Sequence, residues 1–204
     1  VKDPLGMSGV RLEVKVHMVS CAVSAAQNIA KCVERAGLKM DNLALNPLAS
    51  AEACVSEDEK DLGVCVVDIG AGTTDITIYY QGAVRHTVVI PIAGDQITGD
   101  IAAAFRTPTK EAEDLKRSYG CALAAMADPK ATVALHSVTG SGSSALAVQA
   151  LANVIEPRVA ELFTFILQEL QRSGFEQVLS SGVVLTGGSS VLKGMAELAE
   201  EVLH

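Results

Sequence analysis

The chain has 204 residues, 49% of them hydrophobic and 20% charged, with a formal net charge of −8. That is the composition of a soluble globular chain with room for one large domain or two small ones, and its acidic balance with scattered basic residues gives no electrostatic reason to expect nucleic acid or an anionic membrane surface as a direct partner. The longest apolar stretches, such as Cys121 to Ala127, fall far short of the roughly 20 residues that span a bilayer, and no signal-peptide pattern opens the chain.

From Val10 to Met18 apolar and polar residues alternate, which predicts a half-buried strand. Ser24 to Ala36 carries apolar residues at helical spacing, with Ser24 as candidate N-cap and Gly37 as C-cap. An Ala-rich helix follows Pro47, and Glu57-Asp58-Glu59-Lys60-Asp61 reads as its solvated end. Val64 to Val67, apolar on both faces, predicts a central strand covered on both sides. Ile76 to Tyr80 and Ala83 to Ile90 alternate around Gln81-Gly82 as a hairpin, so that a three-stranded meander runs from Gly63 to Pro91. Asp95 to Phe105 and Thr109 to Tyr119 read as helices. Between Ala127 and Ala145 the pattern loosens into a small insert, with a strand over Thr132 to Leu135 and a flexible loop at Gly140-Ser141-Gly142-Ser143-Ser144. A long amphipathic helix through Leu151, Ile155, Val159, Leu162, Ile166 and Leu170 comes next, kinked or started by Pro157. The strand Gly182 to Leu185, the turn Thr186 to Ser189 and a closing helix from Ser190 to Leu203 complete an α/β order.

Three segments carry chemistry. In Asp68-Ile69-Gly70-Ala71-Gly72-Thr73-Thr74-Asp75 an acidic residue ends a buried strand, ahead of Gly-x-Gly and two hydroxyls. Gly70 and Gly72 let backbone N–H groups approach anionic oxygens, Thr73 and Thr74 add donors, and Asp68 can hold Mg²⁺ through water. On residues alone a plain hairpin turn is an equal alternative, and Asp75 reads as a turn stabiliser. The absence of Gly-Lys-Ser/Thr and of a following helix excludes a Walker loop and a Rossmann fingerprint. In the second segment, Leu185-Thr186-Gly187-Gly188-Ser189, a strand ends in paired glycines before a helix, as at a nucleotide edge or in a tight packing turn. Glu113 and Lys116, the third, share a helix face and could bracket a ribose and base; the competing reading is an exposed salt bridge of a few tenths of a kcal/mol. Five cysteines without a Cys-x-x-Cys pair read as reduced, buried thiols, and the four histidines show no metal or catalytic spacing.

Taken in order, these runs, with Ala112-Glu113-Asp114-Leu115-Lys116 as the middle one, resemble the second-phosphate, nucleoside and adenosine motifs of the actin, Hsp70 and MreB superfamily. Within that group, Val10 to His17, Arg85-His86-Thr87, Ile90-Pro91-Ile92-Ala93-Gly94, Tyr119-Gly120-Cys121-Ala122 and Val154-Ile155-Glu156-Pro157-Arg158 are similar to the bacterial cell-division FtsA family. The resemblance covers nearly the whole chain and is weakest between Asp128 and Ala150.

It implies an actin-like, ribonuclease H-like α/β lobe with a mixed sheet flanked by helices, plus a small α+β insert. It further implies ATP and Mg²⁺ held by Asp68, Gly70, Gly72, Thr73, Thr74, Glu113, Lys116, Gly187, Gly188 and Ser189, with the metal reached from Asp68 through water. Residues 1–20 would end subdomain 1C, 21–62 would supply helices of 1A, 63–105 and 147–204 would form 2A, and 106–146 would form 2B. In that family the protein self-assembles into filaments, works with other divisome proteins and tethers FtsZ, whose C-terminal tail docks on 2B, to the cytoplasmic face of the inner membrane at the septum. The family's first-phosphate loop and C-terminal membrane helix are missing from this sequence, and Val1-Lys2-Asp3-Pro4 and His204 read as cut ends, so weak ATP binding is expected of it. Where Hsp70 and MreB relatives place a water-orienting acid, this chain has Asn46, an amide that cannot act as a general base, so weak ATPase activity at most is expected. A pilus-assembly adaptor of the PilM type and an Hsp70- or MreB-like ATPase are the alternatives.

Overall fold

The computed structural model describes residues 5–136 and 143–203, which form two compact units divided between Asp41 and Asn42. In the first unit the alternation from Val10 to Met18 does not make a strand: these residues have no regular structure, and Val10, Leu12, Val14, Val16 and Met18 are exposed. A strand must pair its backbone N–H and C=O groups, and no described segment of this unit offers an edge. The helix α1 spans Val23–Arg35. Ala22 rather than Ser24 stands at its N-cap, without a side-chain bond, because the helix begins one residue before the serine. Its C-terminus follows expectation: Gly37 has φ +76°, its N–H donates to Glu34, and Leu38 N–H reaches back to the Val33 carbonyl, a Schellman closure.

The second unit is built on a four-stranded sheet of order β3-β2-β1-β6, with β1 Val64–Ile69, β2 Thr74–Tyr80, β3 Ala83–Ile90 and β6 Val183–Thr186. β1 pairs antiparallel with β2 and parallel with β6, and β2 pairs antiparallel with β3. Every residue of β1 is buried, as its two apolar faces demand. The pleat divides them. Cys65, Val67 and Ile69 join the large core under α4 (Gly94–Phe105), α5 (Thr109–Tyr119) and α6 (Val148–Ser173), whereas Val64 and Val66 join Ala51, Val55 and Tyr79 under α2 (Asn46–Cys54). The remaining strands, β4 Thr132–His136 and β5 Ser143–Ala147, form a separate antiparallel hairpin between α5 and α6. The mixed sheet flanked by helices, with a small α+β insert, is the fold class the motifs imply.

Several boundaries move. Glu57–Leu62 is a helix of its own, α3, rather than a frayed end. Ser56 and Glu59 close a capping box at its start, and Lys60 is buried between Glu52 and Glu57, both at 2.7 Å. α6 begins nine residues before Pro157, which lies inside it. Residues 190–194 are turn and bridge, so the closing helix α7 spans Met195–Leu203 instead of starting at Ser190. Only Cys65 and Cys121 are buried thiols; Cys21, Cys32 and Cys54 are exposed. Burial pushes the Cys65 thiol up to about 12. The expected loop at 140–144 lies outside the described residues as far as Gly142, and Ser143 and Ser144 open β5. Among the described residues no helix is long and apolar enough to cross a membrane.

Candidate functional site

The alternation of β1 sends Asp68 to the α2 side of the sheet with Val64 and Val66, and there α2 meets it. Asn46 Nδ2 donates to Asp68 Oδ2 at 3.1 Å and Ser50 Oγ donates to the same oxygen at 2.6 Å. One helical turn separates the two donors, so they stack on one face, and Cys54, a turn further on, places Sγ 3.4 Å from Thr186 Oγ1 at the end of β6. Asp68 is 7% exposed, and its other oxygen lies against the backbone of Gly187, where a Cβ would come within 2.4 Å of Oδ1. Gly187, at φ +88°, therefore cannot be exchanged for a larger residue without displacing the carboxylate. Asp75 pairs directly across from Asp68. Burial, aided by the Asp68 charge, holds its carboxyl above the usual range.

The turn that follows is fixed from behind. Gly70 N–H closes on Thr73 O at 3.0 Å, leaving Ala71, Gly72 and Thr73 as an exposed tip. The first N–H groups of α4 reach back to it, Gly94 to Gly70 O at 3.1 Å and Asp95 to Ala71 O at 2.7 Å. Ser189 adds two bonds from the other loop: its N–H donates to Ile69 O at 3.0 Å and its hydroxyl to Gly70 O at 2.8 Å. Thr74 is fully buried and donates its hydroxyl to Ile92 O at 2.7 Å, so its side chain serves the fold rather than the exposed tip. Thr73 stays at the surface beside Asp75.

Glu113 and Lys116 do not form the exposed salt bridge that their spacing alone allows. Lys116 is 8% exposed, and its ammonium donates to Glu113 Oε2 at 2.6 Å, Thr98 Oγ1 at 2.8 Å and Gly94 O at 3.0 Å. The Thr98 hydroxyl in turn donates a hydrogen bond to Glu113 Oε2. Burial pushes the Glu113 carboxyl up, but the Lys116 and Thr98 hydrogen bonds outweigh it and hold the group below its ordinary value. The ammonium thus pins α5 to the first turn of α4, whose N–H groups hold the glycine turn. Gly94 leaves the space for this: a Cβ there would lie 2.5 Å from Ser189 Oγ and 3.2 Å from Lys116 Nζ.

A cavity of about 750 Å³ opens at this junction. Gly70, Glu113, Lys116, Gly188 and Ser189 all line it, which unites three segments far apart in sequence. Cys121, Ala127, Asp128, Leu192 and Lys193 line it as well. Asp68, Gly72, Thr73, Thr74 and Gly187 are not among its lining residues. The reading of the residues missed Ser50, Gly94 and Thr98. The polar stripe Asn46, Ser50, Cys54 at four-residue intervals was the available signal for the first; Gly94 and Thr98 show only once α4 packs on α5.

Comparison with known proteins gives the family and the fold. A family model described as cell division protein FtsA matches residues 65–204. Cell division protein FtsA of Pseudomonas aeruginosa is 58% identical over 204 residues, covering 100% of this chain and 49% of that protein. The chain spans about half the length of the curated relatives it matches. Among solved structures, MreB5 of Spiroplasma citri bound to ADP superposes with a TM-score of 0.72 at 17% identity, over 89% of this chain and 59% of that one. The PilM-PilN type IV pilus biogenesis complex gives a TM-score of 0.66 at 22% identity, over 88% and 45%. These two likenesses are of fold alone, and the fold is actin-like.

Proposed function

The chain belongs to the FtsA family of cell division proteins, and from that premise we propose that it supplies one wall of an ATP cleft in a polymerising protein that tethers FtsZ filaments to the inner membrane at the septum. The observation that carries the nucleotide half is the convergence of Gly70, Glu113, Lys116, Gly188 and Ser189 on one cavity of about 750 Å³. Pockets of that size and mixed lining suit a nucleotide. Glycines at the turn and at residues 187–188 let phosphate and base approach backbone, and the Glu113 carboxylate can accept ribose hydroxyls while Lys116 holds it in place.

Asp68 fits a Mg²⁺ reached through water. Its Oδ2 is fixed by Asn46 and Ser50, and a metal that keeps most of its own waters needs only one such carboxylate. When bound, the cation would neutralise phosphate charge. Asn46 donates an amide hydrogen to Asp68 and has no basic group to offer a water, so the site senses nucleotide rather than turning it over rapidly.

The FtsZ half rests on family membership and on the insert, taken as residues 106–146, which would present the docking face for the FtsZ C-terminal tail. Self-association and contacts with other divisome proteins follow from the same premise, and membrane attachment would be peripheral, through a helix outside this sequence. The pilus-adaptor and Hsp70-like alternatives have the shared fold as their only support. An FtsZ C-terminal peptide should be retained by the immobilised chain and released by excess free peptide; a folded chain that retains none contradicts the tethering assignment.

A further inference from the structure

Among the residues lining the same cavity are Gly120, Cys121, Ala127 and Asp128, from a segment between α5 and the β4–β5 hairpin that also holds the short 3₁₀ turn Ala124–Met126. Side chains from elsewhere help to hold this segment. Gln149 Nε2 donates to the Ala124 carbonyl oxygen at 3.1 Å, and the Glu156 carboxylate accepts the Ala124 N–H, so both polar groups of that residue's backbone are gripped. The two gripping residues are seven apart on α6, two turns along one face. From the adjoining loop, Lys193 Nζ donates to Met126 O at 2.8 Å and Lys193 O accepts Ala122 N–H at 2.7 Å.

Two residues beyond Glu156, α6 reaches the other way. Arg158 forks onto Asp100 of α4, Nε at 2.6 Å and Nη2 at 3.1 Å, a bidentate geometry that fixes angle as well as distance. α4 is the helix whose first N–H groups hold Gly70 and Ala71. One helix therefore ties together two segments that line the cavity, the glycine turn through α4 and residues 120–128 through Ala124.

Resting on the ATP reading, we propose that Gln149, Glu156 and Arg158 are positioning residues that fix the separation between the glycine turn and the 120–128 segment, with α6 as the strut between them. The turn that meets phosphate is secured by its own bonds to Gly94, Asp95 and Ser189, so loosening the grip on Ala124 moves the segment that runs on from α5, whose Glu113 and Lys116 would meet the ribose, and leaves the phosphate part in place.

The test uses the whole protein, with ATP and inorganic tripolyphosphate as separate probes. Glu156→Ala should weaken ATP about tenfold, the effect of one lost charge-assisted bond, and leave tripolyphosphate within about twofold. Glu156→Gln, which keeps an acceptor oxygen at the same reach, should restore most of the affinity. Unchanged ATP affinity in Glu156→Ala overturns the proposal, and so does an equal loss for both probes, which marks general destabilisation. If Glu156→Ala does not fold, Gln149→Leu is read in the same way, with a loss of about threefold expected for ATP alone and no loss overturning it. If the wild-type protein binds no ATP, the ATP reading fails, and the grip is then decided by amide exchange without nucleotide. Ala124 N–H should be protected in the wild type and fast in Glu156→Ala; equal protection overturns the grip itself.

Discussion

Replacing Lys116 with Met keeps the aliphatic volume and removes the ammonium. In the folded chain that ammonium makes three contacts, with Glu113, Thr98 and Gly94. Hydrogen bonds to a charged group contribute about 1.5–3 kcal/mol each, but the losses do not add, because Glu113 is 38% exposed and can be rehydrated. A net destabilisation of about 2–3 kcal/mol is expected, most of it from the half-buried Glu113 carboxylate left without its counter-ion, since the Gly94 carbonyl still has the Thr98 hydroxyl within 3.0 Å. An exposed helix-face pair would contribute only about 0.2–0.5 kcal/mol. The pH dependence adds a second check. Glu113 has a lowered pKa in the folded state, so its contribution is complete above the unfolded carboxylate value, about 4.3, and is lost as pH falls through the folded value. Urea unfolding of both proteins should show the full deficit at pH 7 and a smaller one below about pH 4. A deficit under about 0.5 kcal/mol at pH 7 would return Lys116 to the class of surface substitutions and refute the buried-pin account.

Three further substitutions probe Asp68 and its surroundings. Gly187→Ala places a methyl 2.4 Å from Asp68 Oδ1 and 2.5 Å from Ile69 O at φ +88°, and should lower stability by about 2–4 kcal/mol. Gly188→Ala meets nothing within 4 Å and should be nearly neutral; equal thermal shifts for the pair would sink the argument. Asn46→Asp sets a second carboxylate against Asp68, where the amide now lies 3.1 Å away, and raises the pair's affinity for a proton in the folded state. A proton held more tightly folded than unfolded makes stability fall as pH rises, so the deficit, about 2 kcal/mol at pH 7.5, should shrink at pH 4.5. A deficit that does not change with pH would show that the two groups do not interact.

The parts of the fold legible in the sequence are those whose residues settle the matter locally. β1 announces itself by being apolar on both faces, α5 runs over the expected residues from Thr109 to Tyr119, and the Gln81-Gly82 hairpin turns where its residue types require. The failures have a common cause, which is that a partner distant in sequence decides the outcome. Val10 to Met18 has the alternation of a strand, but no described segment of its unit pairs with it. The start of α7 is delayed because Lys193 bridges to Cys121 instead of entering the helix. The three motifs of the site could be recognised by order and spacing. Their chemistry could not, because Lys116 looks like a surface lysine until Thr98 and Gly94 of another helix close over it, and Asp68 looks unsupported until α2 brings Asn46 and Ser50 to it across 22 and 18 residues. The α3 helix is the exception: its start is written locally, in the Ser56–Glu59 capping box, inside what otherwise reads as a charged run.

The central claim, that this chain forms one wall of an ATP cleft, is tested most directly by calorimetric titration of ATP with Mg²⁺ into the whole protein and its Asp68→Ala variant. The account predicts saturable binding by the wild type and an affinity at least about tenfold lower in the variant, with folding checked by thermal melting, since Asp68 also anchors α2. Absence of binding by the wild type, or equal affinity in a folded Asp68→Ala variant, would contradict it.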